Sequence, residues 1–475
     1  MKLRIYLADL THTGVGIATE AFPLNIGLIA SYCLKEFGDD VEIELFKFPE
    51  DLKESIDRKK PHILACSNYS WNSNLSYFFA NYVKSIDKNI VTVFGGTNYP
   101  FDEYNQKLFH KKRPDMDIHT FYEGEKAFFN IVDRFISTSD RKKMFENPIP
   151  GCQFLDANGN LIKGDSIPRI KVLDTIPSPY ASGLLDKFFE QKLTPLVETA
   201  RGCPFKCNFC NAGDVYFNKV NLFTDEYVEQ ELTYIAERAN KNDIRHVTFA
   251  DNNFGMIPRD AKTVDLIYSL MNKYEWPKSV TIWTGKNSKE RIIDATRLLG
   301  ETLSVSMSVQ SMDPKVLENV SRSNIKLDHY KAIASELSSQ GRPQHAEVIV
   351  PLPDETFATH ITGLSDLIDT DVSNVVSHTI QMLHGTPYAD DKSYVKKYGY
   401  KTKHRIVPLD FGKYDKKYIF DTEEVGIATN KFSFQEYLEA RKFLLIVDLC
   451  FNGNTFDILK KYILSRNLKV SDWVK

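Results

Sequence analysis

The first 140 residues alternate short apolar runs with longer amphipathic stretches. Leu3 to Ala8, Val41 to Phe46, His62 to Ser67, Ile90 to Phe94 and Ile118 to Tyr122 have the length of strands. Between them, Ile26 to Phe37 and Asn74 to Ser85 carry apolar positions at helical spacing. Short strands separated by amphipathic helices predict an α/β domain over residues 1–140 with a parallel, flavodoxin-like (Rossmann-type) sheet, whose ligands sit beyond the carboxyl ends of the strands. Over 141–190 the periodicity is broken by Pro148, Pro150, Pro168, Pro177 and Pro179, which predicts a linker with a small hairpin at Asp156-Ala157-Asn158-Gly159. Alternation then resumes over 191–390, with strand candidates at Pro195 to Thr199, His246 to Ala250, Ser279 to Trp283, Leu303 to Val309, Ala346 to Val350 and Val375 to Ile380. Such units predict a partial (β/α)6 barrel of the TIM type, with function on the loops at the strand ends. Thr224 and the pair Asp313-Pro314 are helix-start signals in that stretch. Residues 391–475 are richer in Lys, Asp and Tyr and predict a mainly helical extension, including an amphipathic helix near Phe434 to Leu449.

Composition narrows the classes. An apolar content of 42% over 475 residues suits packed cores in two or three domains. A net charge of −3 supplies no broad basic surface, which argues against nucleic acid as a partner. No run reaches the ~18 apolar residues that suggest a membrane helix, and the start lacks a signal-peptide pattern. Of seven cysteines, Cys33, Cys66, Cys152 and Cys450 are isolated while three fall within eight residues, so a disulfide framework is not expected. The expected setting is a reducing cytoplasm without a membrane.

The close group is Arg201-Gly202-Cys203-Pro204-Phe205-Lys206-Cys207-Asn208-Phe209-Cys210, a C-x3-C-x2-C spacing just after the first barrel strand candidate. Three thiolates on one tight loop can hold three irons of a 4Fe–4S cubane and leave the fourth iron open. An open iron can chelate an amino and a carboxylate group and pass on one electron. A structural zinc site wants four closed ligands, and no second cysteine pair is present to complete it.

This motif, with Phe209 before the third cysteine, resembles that of the radical S-adenosylmethionine (SAM) superfamily, and the resemblance covers roughly residues 190–390. It implies reductive cleavage of SAM to methionine and a 5′-deoxyadenosyl radical, with the electron delivered by a donor such as flavodoxin or ferredoxin. By the same resemblance, Asp251 lies where relatives contact the SAM amino group, although the Gly-Gly-Glu form common there is absent. Gln310 lies in the ribose-contacting segment Ser308-Val309-Gln310-Ser311, Arg322 pairs with the SAM carboxylate, and Glu347 lies near the ribose. Leu383-His384-Gly385-Thr386-Pro387 resembles the turn that closes the adenine pocket.

The N-terminal residues resemble the cobalamin-binding domain found upstream of many radical SAM enzymes. Pro23 to Leu28, Ser67 to Asn72, Val93-Phe94-Gly95-Gly96-Thr97 and Tyr122-Glu123-Gly124-Glu125 carry that resemblance, which implies cobalamin contacts from Ser67, Gly95, Gly96 and Glu123. The two glycines are expected to let backbone approach a bulky ligand. The loop Asp9-Leu10-Thr11-His12-Thr13-Gly14 departs from the cobalt-ligating D-x-H-x-x-G spacing, so His12 is read as a solvated loop residue. The resemblance implies cobalamin-dependent methylation of an unactivated carbon in a small-molecule, sugar-linked or peptide substrate. The alternatives are a radical SAM cyclase, epimerase or rearrangement enzyme whose cobalamin domain is vestigial, or a non-catalytic iron–sulfur or corrinoid-binding regulator.

Overall fold

The computed structural model describes residues 2–138, 141–284, 289–322, 330, 334–336, 344–370, 372–453 and 455–475. Its N-terminal sheet contains β1 (Leu3–Ala8), β2 (Val41–Phe46), β3 (Ile63–Ser67), β4 (Val91–Gly95), β5 (Ile118–Thr120), β6 (Cys152–Leu155) and β7 (Leu161–Lys163), in the spatial order β2-β1-β3-β4-β5-β6-β7. The first five are parallel and the last two form an antiparallel hairpin on β5. Part of the proline-rich stretch therefore extends this sheet. All five residues of β3 are buried, as a central strand covered on both faces requires. Helix α1 (Leu24–Phe37) buries Leu24, Ile26, Leu28, Ala30 and Cys33 against the sheet. At Gly27 a Cβ would come within 3.1 Å of Pro179, so α1 packs closely on the 177–180 segment.

The same segment reaches the second domain. Ser31 Oγ donates to the Pro177 carbonyl (2.6 Å), and the fully buried Tyr180 hydroxyl donates to the Leu196 carbonyl (2.8 Å) and accepts from the Leu196 amide (3.1 Å). Leu196–Val197 is β8, the first strand of a six-stranded parallel sheet completed by β11 (His246–Phe249), β12 (Ser279–Trp283), β13 (Leu303–Gln310), β14 (Gln344–Val350) and β15 (Asn374–Thr379) in sequential order. This is the partial barrel that the strand–helix alternation predicts. Both helix-start signals are used: Thr224 accepts from the Tyr227 amide (3.3 Å), and Asp313 accepts from the amides of Lys315 (2.8 Å) and Val316 (3.2 Å). After β8 the chain leaves the barrel as β9 (Ala200–Arg201), which pairs antiparallel with β10 (Asn221–Leu222) and so closes the ends of the cysteine loop.

The C-terminal extension contains the expected helix at Phe434–Ile446 and further helices at Asp457–Ser465 and Val470–Val474, preceded by a hairpin of β16 (Lys401–Tyr414) and β17 (Lys417–Ala428) that the sequence did not reveal. The hairpin folds back onto the N-terminal domain. There His12 is fully buried, not solvated: its Nε2 pairs with Asp421 (2.8 Å) and its Nδ1 bonds the Tyr414 hydroxyl (3.1 Å). Tyr414 also joins the apolar cluster of Tyr6, Leu10, Phe46 and Leu75. Among the described residues, no helix is long and apolar enough to cross a membrane.

Candidate active site

The cysteine loop begins where β9 ends. Gly202 takes a φ of +120°, and a side chain there would run into the Lys219 carbonyl, so the turn needs glycine. The Cys203 amide donates to the Phe217 carbonyl (2.8 Å), the Asn208 amide to the Val320 carbonyl (3.2 Å), and the Cys210 amide to the Cys207 carbonyl (3.2 Å). Gly213 leaves no room for a Cβ against Cys207. Three thiols are thus presented by backbone that is tied at both ends and in the middle.

Two of the sulfurs face donors from other elements. Asn253 Nδ2 donates to Cys203 Sγ at 3.2 Å, and Arg322 Nη1 lies 3.9 Å from Cys207 Sγ. Donors aimed at sulfur stabilise thiolates and tune what they bind. Burial raises the Cys210 thiol, and the nearby Cys203 and Cys207 push it further in the same direction, which shows that the three sulfurs feel one another. Among the described residues, no three His, Cys, Asp or Glu side chains converge as the ligands of a single ion would. Three thiols on one short tied loop, two of them facing N–H donors, fit three corners of a cubane.

The barrel-strand residues fall around this loop. Glu347 on β14 is the register partner of Ser308 on β13 and accepts its hydroxyl hydrogen bond. Arg322 donates to the Ser308 carbonyl, which places the guanidinium between that strand end and Cys207. Gln310 closes β13 just past a register shift, with a φ of +67°. Its side-chain Oε1 is buried without a partner among the described residues. A strained, bulged strand end with an unsatisfied acceptor is what a ligand-contacting position looks like before its ligand arrives.

Asp251 behaves differently from its expected contact with the SAM amino group. It accepts from the Thr199 amide (2.7 Å), the Thr199 hydroxyl and the Ala200 amide (3.2 Å), and burial lifts its carboxyl to about 7. It fastens the turn from β8 into the cysteine loop. Asn253, two residues on, is the one that reaches a sulfur. The cue was visible in Asp251-Asn252-Asn253-Phe254, but a sequence cannot say which of three polar neighbours points inward.

The N-terminal domain meets this loop directly. A crevice of about 350 Å3 beyond the carboxyl ends of its strands is lined by Ser67, Gly95, Gly96 and Glu123 on one side and by Glu198, Arg201 and Ala250 on the other. Arg201 bridges the two walls, pairing with Glu198 (2.8 Å) and with Glu125 of the helix Gly124–Thr138 at 3.0 Å. Tyr122 stacks on Tyr216 (centroids 3.9 Å apart), next to the Phe217 carbonyl that anchors Cys203. The residues expected to contact cobalamin also have structural partners. Ser67 donates to Asp9 (2.6 Å) and accepts from Asn72 (2.8 Å). Glu123 pairs with Arg169 (3.0 Å) and accepts from the Ile170 amide (2.8 Å). Gly95 and Gly96 need no ligand to explain them: a Cβ would strike Thr120 at Gly95 and the Asn68 carbonyl at Gly96, where φ is +132°.

Residues 197–362, which carry the three-thiol loop and most of the barrel, match the radical SAM superfamily. The chain is 27% identical over 411 residues to the cobalamin-dependent radical SAM methyltransferase TokK of Streptomyces tokunonensis, covering 83% of this chain and 57% of that protein. It is 26% identical over 470 residues to the 2-(S-pantetheinyl)-carbapenam-3-carboxylate methyltransferase of Streptantibioticus cattleyicolor, covering 95% of this chain and 66% of that relative. The chain thus spans less than two thirds of either protein. Among solved structures, the cobalamin-dependent SAM radical enzyme OxsB superposes with a TM-score of 0.61 at 16% identity, over 83% of this chain and 56% of that one. The methyltransferase TsrM from Kitasatospora setae gives 0.61 at 12% identity, over 82% and 75%. Those two likenesses show a common fold.

Proposed function

We propose that the chain cleaves SAM reductively at a 4Fe–4S cluster held by Cys203, Cys207 and Cys210, and methylates an unactivated carbon of a small-molecule intermediate with the help of cobalamin. The observation that carries this reading is the shared crevice: the carboxyl edge of the N-terminal sheet opens onto the same loop that presents the three thiols. When bound, the cluster supplies the electron for SAM cleavage and cobalamin supplies a transferable methyl group.

The chain's own residues bind, orient and exclude. The three thiols would hold the cluster, with Asn253 and Arg322 donating toward two of them. Gln310 offers SAM a buried acceptor, and Glu347 offers a carboxylate beside Ser308. Ser67, Gly95, Gly96 and Glu123 line the space that would take an arm of cobalamin. Glu125, Arg201 and Glu198 lock the two walls together, so the crevice keeps its shape. Cys207 is 6% exposed, whereas Cys203 and Cys210 are half-buried, so only the middle thiol is shielded from water by the chain itself.

The test is anaerobic reconstitution with iron, sulfide and cobalamin, followed by dithionite and SAM. The expected result is 5′-deoxyadenosine release, cobalamin retained on desalting, and loss of iron and of SAM cleavage in Cys207→Ala. A loaded cluster that leaves SAM intact would make the protein a non-catalytic regulator. SAM cleavage by protein that retains no cobalamin would favour a rearrangement enzyme.

A further inference from the structure

A second, larger cleft of about 1100 Å3 lies where the N-terminal domain, the end of the last barrel strand and the C-terminal hairpin meet. Asn211, adjacent to Cys210, is part of its lining and donates from its side chain to the His384 carbonyl. The cleft thus extends from the cysteine loop toward solvent. Its lining includes Lys112 and Arg113 of the N-terminal domain, Lys392 and Lys396 of the helix Lys392–Tyr398, and Lys401 and His404 of the hairpin. The two acids on the same lining are already engaged. Glu423 pairs with Arg405 (2.6 Å) and accepts from Gln381, and Glu424 accepts from the Thr402 hydroxyl. None of the four lysines forms an ion pair within the described residues.

We propose that this cleft binds the anionic end of a small molecule, a phosphate or carboxylate group held by Lys392, Lys396 and Lys401 opposite Lys112 and Arg113, with the rest of that molecule extending toward Asn211 and the cysteine loop. Cations gathered around a cleft raise the positive potential inside it and concentrate anions there. The sign is local, because the chain as a whole is slightly acidic, at −3. Calling the occupant the substrate rests on the radical SAM reading, whereas anion binding does not.

The test uses inorganic pyrophosphate and tricarballylate as probes, titrated calorimetrically into the anaerobically reconstituted full chain at low ionic strength, where screening is weakest. Saturable binding near one per chain is expected, weakened about tenfold or more in Lys396→Glu/Lys401→Glu, as expected when charged partners turn repulsive. The tighter probe tells a phosphate-bearing from a carboxylate-bearing ligand. The control pair Lys461→Glu/Lys469→Glu changes net charge equally at two exposed lysines outside the cleft lining and should leave both affinities unchanged. Absence of saturable binding overturns the proposal, and so does an equal loss in the control. If neither probe binds but an acidic flavodoxin does, and loses affinity in the cleft variant, the basic face belongs to an electron donor and the proposal falls. Release of 5′-deoxyadenosine by the wild-type chain is measured separately. Its failure would sink the enzymatic reading and leave the binding result standing.

Discussion

Replacing Glu231 with Gln should change how the stability of this protein depends on pH. Glu231 lies on the helix Asp225–Ala239, is 2% exposed and accepts a hydrogen bond from Ser178 Oγ at 2.6 Å. Burial lifts its carboxyl from the ordinary 4.5 to about 8, and the Ser178 hydrogen bond opposes that only in part. The folded state therefore holds the proton more tightly than the unfolded chain does. The resulting stabilisation is complete below pH 4.5, fades as pH rises and is gone above about 8. Each pH unit in that interval is worth about 1.4 kcal/mol, which caps the effect at about 5 kcal/mol. Gln keeps an oxygen to accept from Ser178 and cannot ionise. Urea denaturation of both chains from pH 5 to 9, at fixed ionic strength, should show the wild type losing stability relative to Glu231→Gln as pH rises. Parallel profiles, or a wild type that gains on the variant, would refute the reasoning. The consequence is functional, because Ser178 belongs to the segment that ties α1 to β8 and so sets one domain against the other.

Two further variants test the site and its frame. Asn253→Leu removes the N–H donated to Cys203 Sγ and should make the cluster harder to reduce. A differential of about 1 kcal/mol corresponds to about 40 mV for one electron, read by redox titration followed by EPR, and an unmoved potential would count against the contact. His12→Ala strips Asp421 of its buried partner, a loss of about 3 kcal/mol, at the low end for a broken buried pair because Asp421 also accepts from the Asn74 and Leu75 amides. Hydrogen exchange should then accelerate over Tyr414–Asp421 while β3 stays protected; unchanged exchange in the hairpin would show that it is held some other way.

Much of the fold was legible because periodicity and burial agree. Ile63–Ser67 is an apolar run with turn signals on both sides, and it became a fully buried central strand. The hairpin was not legible, because Lys401–Tyr414 carries Lys401, Lys403, Arg405 and Lys413 on largely exposed backbone, with Pro408 and Gly412 inside it. Val407, Leu409 and Phe411 do alternate, but Pro408 falls between them and Leu409 and Phe411 stay exposed, and the hairpin docks through long-range contacts such as that of His12 with Asp421. At the site, the cysteine spacing was plain because three thiols so close together have few other uses. The roles of Asp251 and Asn253 were hidden, since either can cap a helix or hold a turn, and only the fold decides which one turns toward the thiols.

Buried polar contacts, some of them made by the 141–190 segment itself, set the two domains in register. Arg201 is the residue before Gly202, so any movement of the cysteine loop is felt at its guanidinium, which grips Glu125 on one domain and Glu198 on the other. Arg169, paired with Glu123, also donates to the Lys219 and Arg201 carbonyls, which flank the loop on β9 and just before β10. These side chains are mostly buried, and a charge left unpaired there is costly, so the domains cannot slide apart by small steps without breaking a pair outright. Glu123 therefore braces the contact between the domains as well as lining the crevice. Its loss should widen the crevice and loosen the thiols at once, a coupling that no single-domain variant would produce.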